Sequence, residues 1–326
     1  MTRKLTEITN CIQKELKDFE EMFASCFSAD NSSLDNMLKY IVSLKGKRIR
    51  PIITLLCALS FGKTTKQTFR SAIVVELLHT ASLLHDDVID QSSVRRGKKT
   101  LNARFDNHLA ILVGDYLYGK ALSLLQTQED FNLMPIFGKI ATDLPQGEIR
   151  EDEAINKKDT SIDFYLKVIY EKTASLIEAS ALCGACSCKK DNETEINFQQ
   201  IKELGKAVGM AFQIKDDILD YKDNTGKEKG IDIKEGKITI PLIYYIESVS
   251  EEEKEEILSM LYSPNKTEVM IKDLLQKVCD SGAIDRAEQA MISYSEQASN
   301  IINTFPKNIY SKSLGELVQY LTKRDK

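Results

Sequence analysis

The chain has 326 residues, 42% of them hydrophobic, and a net charge of −5. That length and apolar content are ample for a sizeable core, and the mild acidity excludes a protein built to meet a nucleic-acid backbone, which demands a face-wide basic excess. Small phosphorylated ligands stay open, and the sparse Gly and Pro, 15 and 6, among abundant helix formers point to an all-helical chain.

In chain order, Met1 to Glu7 places charges where a signal peptide needs an apolar run, and no stretch approaches the ~20 apolar residues of a membrane span. A cytoplasmic protein without a transmembrane segment is expected. Leu5, Ile8, Ile12, Leu16, Phe19 and Phe23 recur at helical spacing, so residues 2–27 should form one amphipathic helix. Ser32-Ser33 should cap a second helix from Leu34 to Leu44. Lys45-Gly46-Lys47-Arg48-Ile49-Arg50-Pro51 then gathers four cations around one glycine, with Pro51 opening the next helix. Cations at a helix N-terminus repel its dipole, and a bound anion would resolve that conflict; a solvated basic turn is the bland alternative.

Residues 65–90 are apolar on nearly all sides and should form a central buried helix. It ends in Leu83-Leu84-His85-Asp86-Asp87-Val88-Ile89-Asp90. At about 100° per residue, the three carboxylates share one helix face. They repel one another, and the C-terminal dipole adds to the repulsion. Oxygen-only clusters favour a hard cation such as Mg²⁺, held by a few carboxylates together with substrate phosphates. His79 lies two turns before Asp86, near the same face, although an isolated buried histidine is commonly only a hydrogen-bonded core residue. The basic loop Arg95-Arg96-Gly97-Lys98-Lys99 follows at once. It either pairs with the acidic cluster or forms the other side of a metal diphosphate site.

Further helices are expected from His108, over Met134 to Glu153, and from Phe164 through Lys172-Thr173-Ala174. Cys183-Gly184-Ala185-Cys186-Ser187-Cys188 has no fourth ligand nearby, so it reads as small residues packing a helix on a neighbour, not as a zinc site. Seven cysteines without framework spacing suit a reducing compartment. The run from Glu195 to Tyr221 carries the second acidic cluster, Asp216-Asp217-Ile218-Leu219-Asp220, with Gln213 one turn ahead of Asp217. The lysine- and glycine-rich stretch Asn224 to Thr239 should be a loop that a ligand orders. The remainder reads as helical packing, and the absence of linkers favours a single domain over residues 1–326.

Taken in order, Gly46-Lys47-Arg48-Ile49-Arg50-Pro51, His79 through Asp90, Arg95-Arg96-Gly97, Gly114-Asp115-Tyr116-Leu117, Lys172-Thr173, Phe212-Gln213-Ile214-Lys215-Asp216-Asp217 and Gly236-Lys237-Ile238-Thr239 resemble the trans-polyprenyl diphosphate synthases of the polyprenyl synthetase family. The similarity spans about residues 46–241. It implies an all-α isoprenoid synthase fold, antiparallel helices around a deep central cavity, and a Mg²⁺-dependent prenyltransferase that is a homodimer. By the same resemblance, Asp86, Asp87, Asp90, Asp216, Asp217 and Asp220 hold Mg²⁺, roughly three ions per site with substrate bound. Arg95, Lys172, Lys227 and Lys237 neutralise the allylic diphosphate, while Lys47, Arg50, His79 and Arg96 bind isopentenyl diphosphate. Thr173 and Gln213 offer oxygens beside the allylic cation. Lys45 stands where relatives often carry a second Gly, and Glu151 where many carry Gln; the added charge either weakens diphosphate binding or joins the metal cluster.

Short-chain members of the family carry an aromatic floor one turn before the first cluster, where this chain has Ala81 and Ser82. With 1.5 Å of rise per residue and roughly 5 Å per isoprene unit, each unit descends about three residues, past Leu78, Leu77 and Val74. An all-trans product of about six to ten units, C30–C50, of the kind used for quinone side chains, is therefore expected. A short-chain farnesyl or geranylgeranyl diphosphate synthase and a noncatalytic subunit of a heteromeric synthase are the alternatives. A terpene cyclase would need no second diphosphate pocket, and a His-Asp phosphohydrolase lacks enough histidines.

Overall fold

The computed structural model describes residues 3–44, 46–95, 97–125, 128–191, 195–222, 229–263 and 265–323. Lys45, Arg96, Lys227 and most of the 224–239 loop's first half lie outside the described residues. The elements are α1 (Arg3–Ile8), α2 (Gln13–Ser25), α3 (Ser32–Ser43), α4 (Ile49–Phe61), β1 (Gly62–Lys63), α5 (Lys66–Ile89), β2 (Val94–Arg95), β3 (Lys98–Lys99), α6 (Leu101–Arg104) and α7 (Asn107–Ser123). There follow α8 (Met134–Lys157), α9 (Ile162–Ile169), α10 (Ser175–Ser187), β4 (Lys189–Lys190), α11 (Phe198–Leu219), α12 (Ile231–Glu235), α13 (Ile240–Ile246), α14 (Glu251–Leu261), α15 (Glu268–Asp280), α16 (Ala283–Asn303) and α17 (Ile309–Lys323). The chain is all-α: among the described residues its strands are two-residue pairs, β1 with β4 and β2 with β3, both antiparallel.

The first expected helix is interrupted. The Thr9 hydroxyl donates back to the Leu5 carbonyl at 2.9 Å and a 3₁₀ turn follows over Asn10–Ile12, the local competition through which Thr and Asn loosen helices. The six apolar positions are nevertheless all buried. The next helix is capped by Asn31, whose side chain accepts from the Leu34 amide at 3.1 Å, and not by Ser32-Ser33.

The chain divides into two compact units, each assembled from three separated stretches. In the first, comprising Met1–Ala141, Ala179–Lys202 and Thr304–Leu317, α5 is the central helix and packs against α2, α4 and α7. A reciprocal Thr65–Thr68 capping box starts it. Its apolar positions Ile73, Val74, Val75, Leu77 and Leu78 are 0–3% exposed. The cysteine-rich end of α10 rests on α4, since a Cβ on Gly184 would meet the Thr54 carbonyl oxygen at 2.2 Å and Cys57 Cβ at 2.9 Å. In the second unit, comprising Thr142–Glu178, Glu203–Asn303 and Val318–Lys326, α13 packs on α9, α15 and α16. One of its clusters joins Tyr165, Ile169, Met210, Ile214, Ile218 and Ile243. No helix among the described residues is long and apolar enough to cross a membrane.

Candidate active site

The first acidic cluster occupies the last turn of α5. Asp87 is 4% exposed, and its Oδ1 accepts from Arg95 Nε at 2.8 Å. Burial raises the Asp87 pKa against the opposing pull of Arg95. The sequence left open whether the acidic turn and the basic loop pair with each other; here they do. Asn102 fixes this geometry, donating to the carbonyls of Asp87 at 3.1 Å and Ser92 at 3.2 Å. It ties the end of α5 to the β2–β3 hairpin that carries Arg95.

A cavity of about 60 Å³ in the first unit is bordered by His79, Thr80, Leu83, Asp87, Arg95 and Arg48. His79 thus shares a wall with Asp87, as its two-turn spacing predicts. His85 points elsewhere. Its Nε2 lies 3.2 Å from the Ile111 carbonyl oxygen and 3.5 Å from Asp115, and its ring stacks 6.0 Å from Tyr118. Val74, Leu77, Leu78 and Ala81 are 0–3% exposed on α5, with Ser82 less buried and donating to the His79 carbonyl. None of these five borders that cavity.

The cations of the glycine turn separate. Lys47 and Arg50 flank the start of α4, half-buried. Arg48 adopts the left-handed region at φ 57° and turns inward, donating to Glu76 at 2.8 Å and Glu20 at 2.9 Å over the Phe23 ring. Burial opposes its charge, but Glu76 and Glu20 outweigh that and raise its pKa. The sequence did not single out Glu76, a lone carboxylate within an apolar helix. Arg48 and Glu76 side chains are 9% and 6% exposed, and removing one partner of a buried pair strands the other charge. Glu76→Ala should therefore cost about 3 kcal/mol, read as a lower urea midpoint at unchanged slope. A loss below about 1 kcal/mol would mean that Glu20 and Phe23 hold Arg48 unaided.

The second unit holds the other cluster and a cavity of about 140 Å³, bordered by Phe164, Val168, Ile169 and Ile243 on its apolar side and by Lys172, Thr173, Gln213, Asp217, Asp232 and Lys237 on its polar side. Between α9 and α10 the backbone forms a π turn, Tyr170–Ala174, a distortion common at functional sites. Lys172 and Thr173 lie in it. Glycines let its neighbours come close: a Cβ on Gly147 would meet the Lys172 amide nitrogen at 2.7 Å, and one on Gly209 would meet Ala174 Cα at 2.4 Å. That approach brings Glu148 to 2.7 Å and Glu151 to 2.8 Å from Lys172 Nζ. Burial disfavours the Lys172 charge, but Glu151 and Glu148 more than reverse it and raise its pKa. The extra charge of Glu151 is thus met by Lys172. From the other side, Thr173 Oγ1 donates to Gln213 Oε1 at 2.7 Å.

Asp217 accepts from Gln213 Nε2 at 2.8 Å and from the Tyr165 hydroxyl at 2.6 Å. Asp220 accepts from the amides of Ile231 and Asp232, both at 3.2 Å, and so caps α12. Asp232, which the sequence reading left in a loop, joins them. Burial first, then Asp217 and Asp220, raises its pKa, with Lys237 pulling the other way. Asp217 is raised by burial and by Asp216 against its two hydrogen-bond donors. Lys237 Nζ is 2.8 Å from Glu235. Tyr165 and Asp232 carry no motif of their own, and only the fold identifies them.

Buried carboxylates with raised pKa values gain either protons or cations, and their hard oxygens suit Mg²⁺. Among the described residues no three His, Cys, Asp or Glu side chains converge tightly enough to hold a metal ion alone.

The chain is 32% identical over 313 residues to octaprenyl diphosphate synthase of Haemophilus influenzae, covering 95% of this chain and 94% of that one. Its fold superposes on decaprenyl diphosphate synthase of Rhodobacter capsulatus with a TM-score of 0.92 at 27% identity, covering 99% of both chains. A polyprenyl synthase of Caulobacter crescentus, solved with calcium and isoprenyl diphosphate, superposes with a TM-score of 0.89 at 27% identity, covering 99% of this chain and 98% of that one. Residues 31–278 match the family described as polyprenyl synthetase. With its all-α fold, its two acidic helix ends and these full-length likenesses, the chain belongs to the polyprenyl synthetase family.

Proposed function

We propose that the protein is a metal-dependent prenyltransferase that adds isopentenyl diphosphate repeatedly to an allylic diphosphate, giving an all-trans polyprenyl diphosphate of the long-chain class, for a quinone side chain. The carrying observation is the second-unit cavity. An apolar wall and the oxygens of Thr173 and Gln213 stand beside Lys172, Lys237 and Asp217, and its described lining contains neither His nor Cys to trap an electrophile. This suits a carbocation generated next to a diphosphate.

Asp86, Asp87, Asp90, Asp216, Asp217 and Asp220 are assigned to hold Mg²⁺, and Asp87, Asp217 and Asp220 also accept from protein donors that fix their carboxylates. Bound Mg²⁺ stabilises the negative charge that collects on departing pyrophosphate. Arg95, Lys172 and Lys237 grip the allylic diphosphate, with Lys227 assigned by motif alone. Lys47, Arg50 and His79, with Arg96 by motif alone, orient isopentenyl diphosphate. The allylic C–O bond breaks, its electron pair leaving with pyrophosphate. The isopentenyl alkene forms the new C–C bond, and a proton passes to the released pyrophosphate. No protein nucleophile takes part; the apolar wall excludes water that would quench the cation.

The whole chain, residues 1–326, is assigned as one polyprenyl synthetase domain. A cytoplasmic location fits its free thiols. Exposed Ile111, Leu112 and Leu122 on α7, at 43%, 49% and 58%, support a homodimer.

Purified chain incubated with Mg²⁺, farnesyl diphosphate and labelled isopentenyl diphosphate tests this reading. Products of about six to ten isoprene units, abolished by a chelator, are expected. No elongation by the chain alone would indicate a noncatalytic subunit, and termination at about four units would mark a short-chain synthase.

A further inference from the structure

The second-unit cavity contains a run of hydrogen bonds whose direction is set from its buried end. Tyr165 on α9 is 6% exposed, within the cluster of Ile169, Ile214, Ile218 and Ile243. Phe would fill the same apolar space, and a buried hydroxyl is costly unless bonded. This one donates to Asp217 Oδ2 at 2.6 Å, while Gln213 Nε2 donates to Asp217 Oδ1 at 2.8 Å. Tyr165 fixes the carboxylate through Oδ2 and leaves Oδ1 facing Gln213, so the glutamine turns its NH₂ inward and its carbonyl outward. That carbonyl receives the Thr173 proton at 2.7 Å. Thr173 has one proton to give. With it committed to Gln213, Thr173 can offer the cavity only oxygen lone pairs.

We propose that Tyr165 and Asp217 are positioning residues which, acting through Gln213, hold Thr173 as an acceptor-only hydroxyl at the cavity wall, so that the developing allylic cation meets oxygen lone pairs and no acidic proton. This rests on the prenyl-transfer reading above. It gives Asp217 a positioning role besides metal ligation, since each of its oxygens accepts from one protein donor and has a further lone pair. It also explains why the π turn and Gly209 matter. Together they set Thr173 at hydrogen-bonding distance from a glutamine one turn beyond that glycine.

The test is steady-state elongation by wild type, Tyr165→Phe, Thr173→Val and the double variant, each with Mg²⁺ titrated and folding checked by thermal melting. Tyr165→Phe should lower kcat about tenfold, with KM for both diphosphates and the half-saturating Mg²⁺ within about twofold of wild type. On the Thr173→Val background the same change should cost less than about twofold, because its effect passes through Thr173. Wild-type kcat in Tyr165→Phe, a loss that extra Mg²⁺ repairs, or effects that simply multiply would each overturn the proposal. Should Tyr165→Phe fail to fold, Asp217→Asn substitutes for it. Its amide offers an N–H to Gln213 and reverses the glutamine, so the same kcat-only loss at saturating Mg²⁺ is expected, and unchanged kcat overturns the proposal. Absence of elongation by wild type would instead count against the prenyl-transfer reading.

Discussion

Alanine in place of Asp86 or Asp216 is expected to lower turnover by about a hundredfold or more while leaving the melting transition in place. The reasoning is electrostatic. Breaking an allylic C–O bond places a full negative charge on pyrophosphate, and a dry site can supply several kcal/mol of stabilisation to that charge, at about 1.36 kcal/mol per decade of rate. Asp86 and Asp216 are the first carboxylates of their clusters and are only half-buried, so truncating them opens no core cavity. Their neighbours Asp87 and Asp217 are 4% and 5% exposed and hold Arg95, Gln213 and Tyr165 in place. Alanine there would mix lost metal with lost structure. Steady-state kinetics with Mg²⁺ titrated into saturation is the measurement. Turnover within about fivefold of wild type in either variant would remove that aspartate from the metal site.

The partners of the acids in each cluster explain what the sequence could and could not convey. Spacing places Asp86, Asp87 and Asp90 on one face because helical geometry is periodic; the same periodicity correctly buries Leu5, Ile8, Ile12, Leu16, Phe19 and Phe23, and all-round apolarity the middle of α5. The identity of each acid's partner is not periodic. Tyr165 reaches Asp217 across 52 residues, and Glu148 and Glu151 reach Lys172 across 24 and 21. Those pairings depend on glycine-sized gaps, at Gly147 and Gly209, that only packing reveals. The π turn has no composition of its own, so Lys172-Thr173-Ala174 reads as ordinary helix. Arg48 looks like a fourth anion ligand until Glu76, a charge buried by its helix, claims it. Asp220 also caps α12, with an amide on each of its oxygens, which its place in the acidic motif does not reveal. In each case a local pattern names the residue type, and a long-range contact decides its use.

Chain length follows the same division and leads to the second large effect. Ala81 and Ser82 are small at the level where the resemblance to short-chain synthases places an aromatic floor, and the product is expected to grow past them. An aromatic placed there should stop it. Ala81 is fully buried on α5, so Ala81→Phe would overpack the helix at a cost of about 1–3 kcal/mol and confuse product length with instability. Ser82 is only half-buried, and its hydroxyl satisfies itself locally on the His79 carbonyl at 3.0 Å. Ser82→Phe therefore loses little and adds a ring one turn below the acidic cluster. By the resemblance to short-chain synthases with an aromatic floor at this level, the ring should end the product near three to four units, where wild type continues to about six to ten. Turnover of the first condensation should stay within about threefold of wild type, because the ring lies away from the diphosphates. Chromatography of the dephosphorylated products reads the result. An unchanged product distribution from a folded, active Ser82→Phe enzyme would show that the growing chain does not descend along this face of α5.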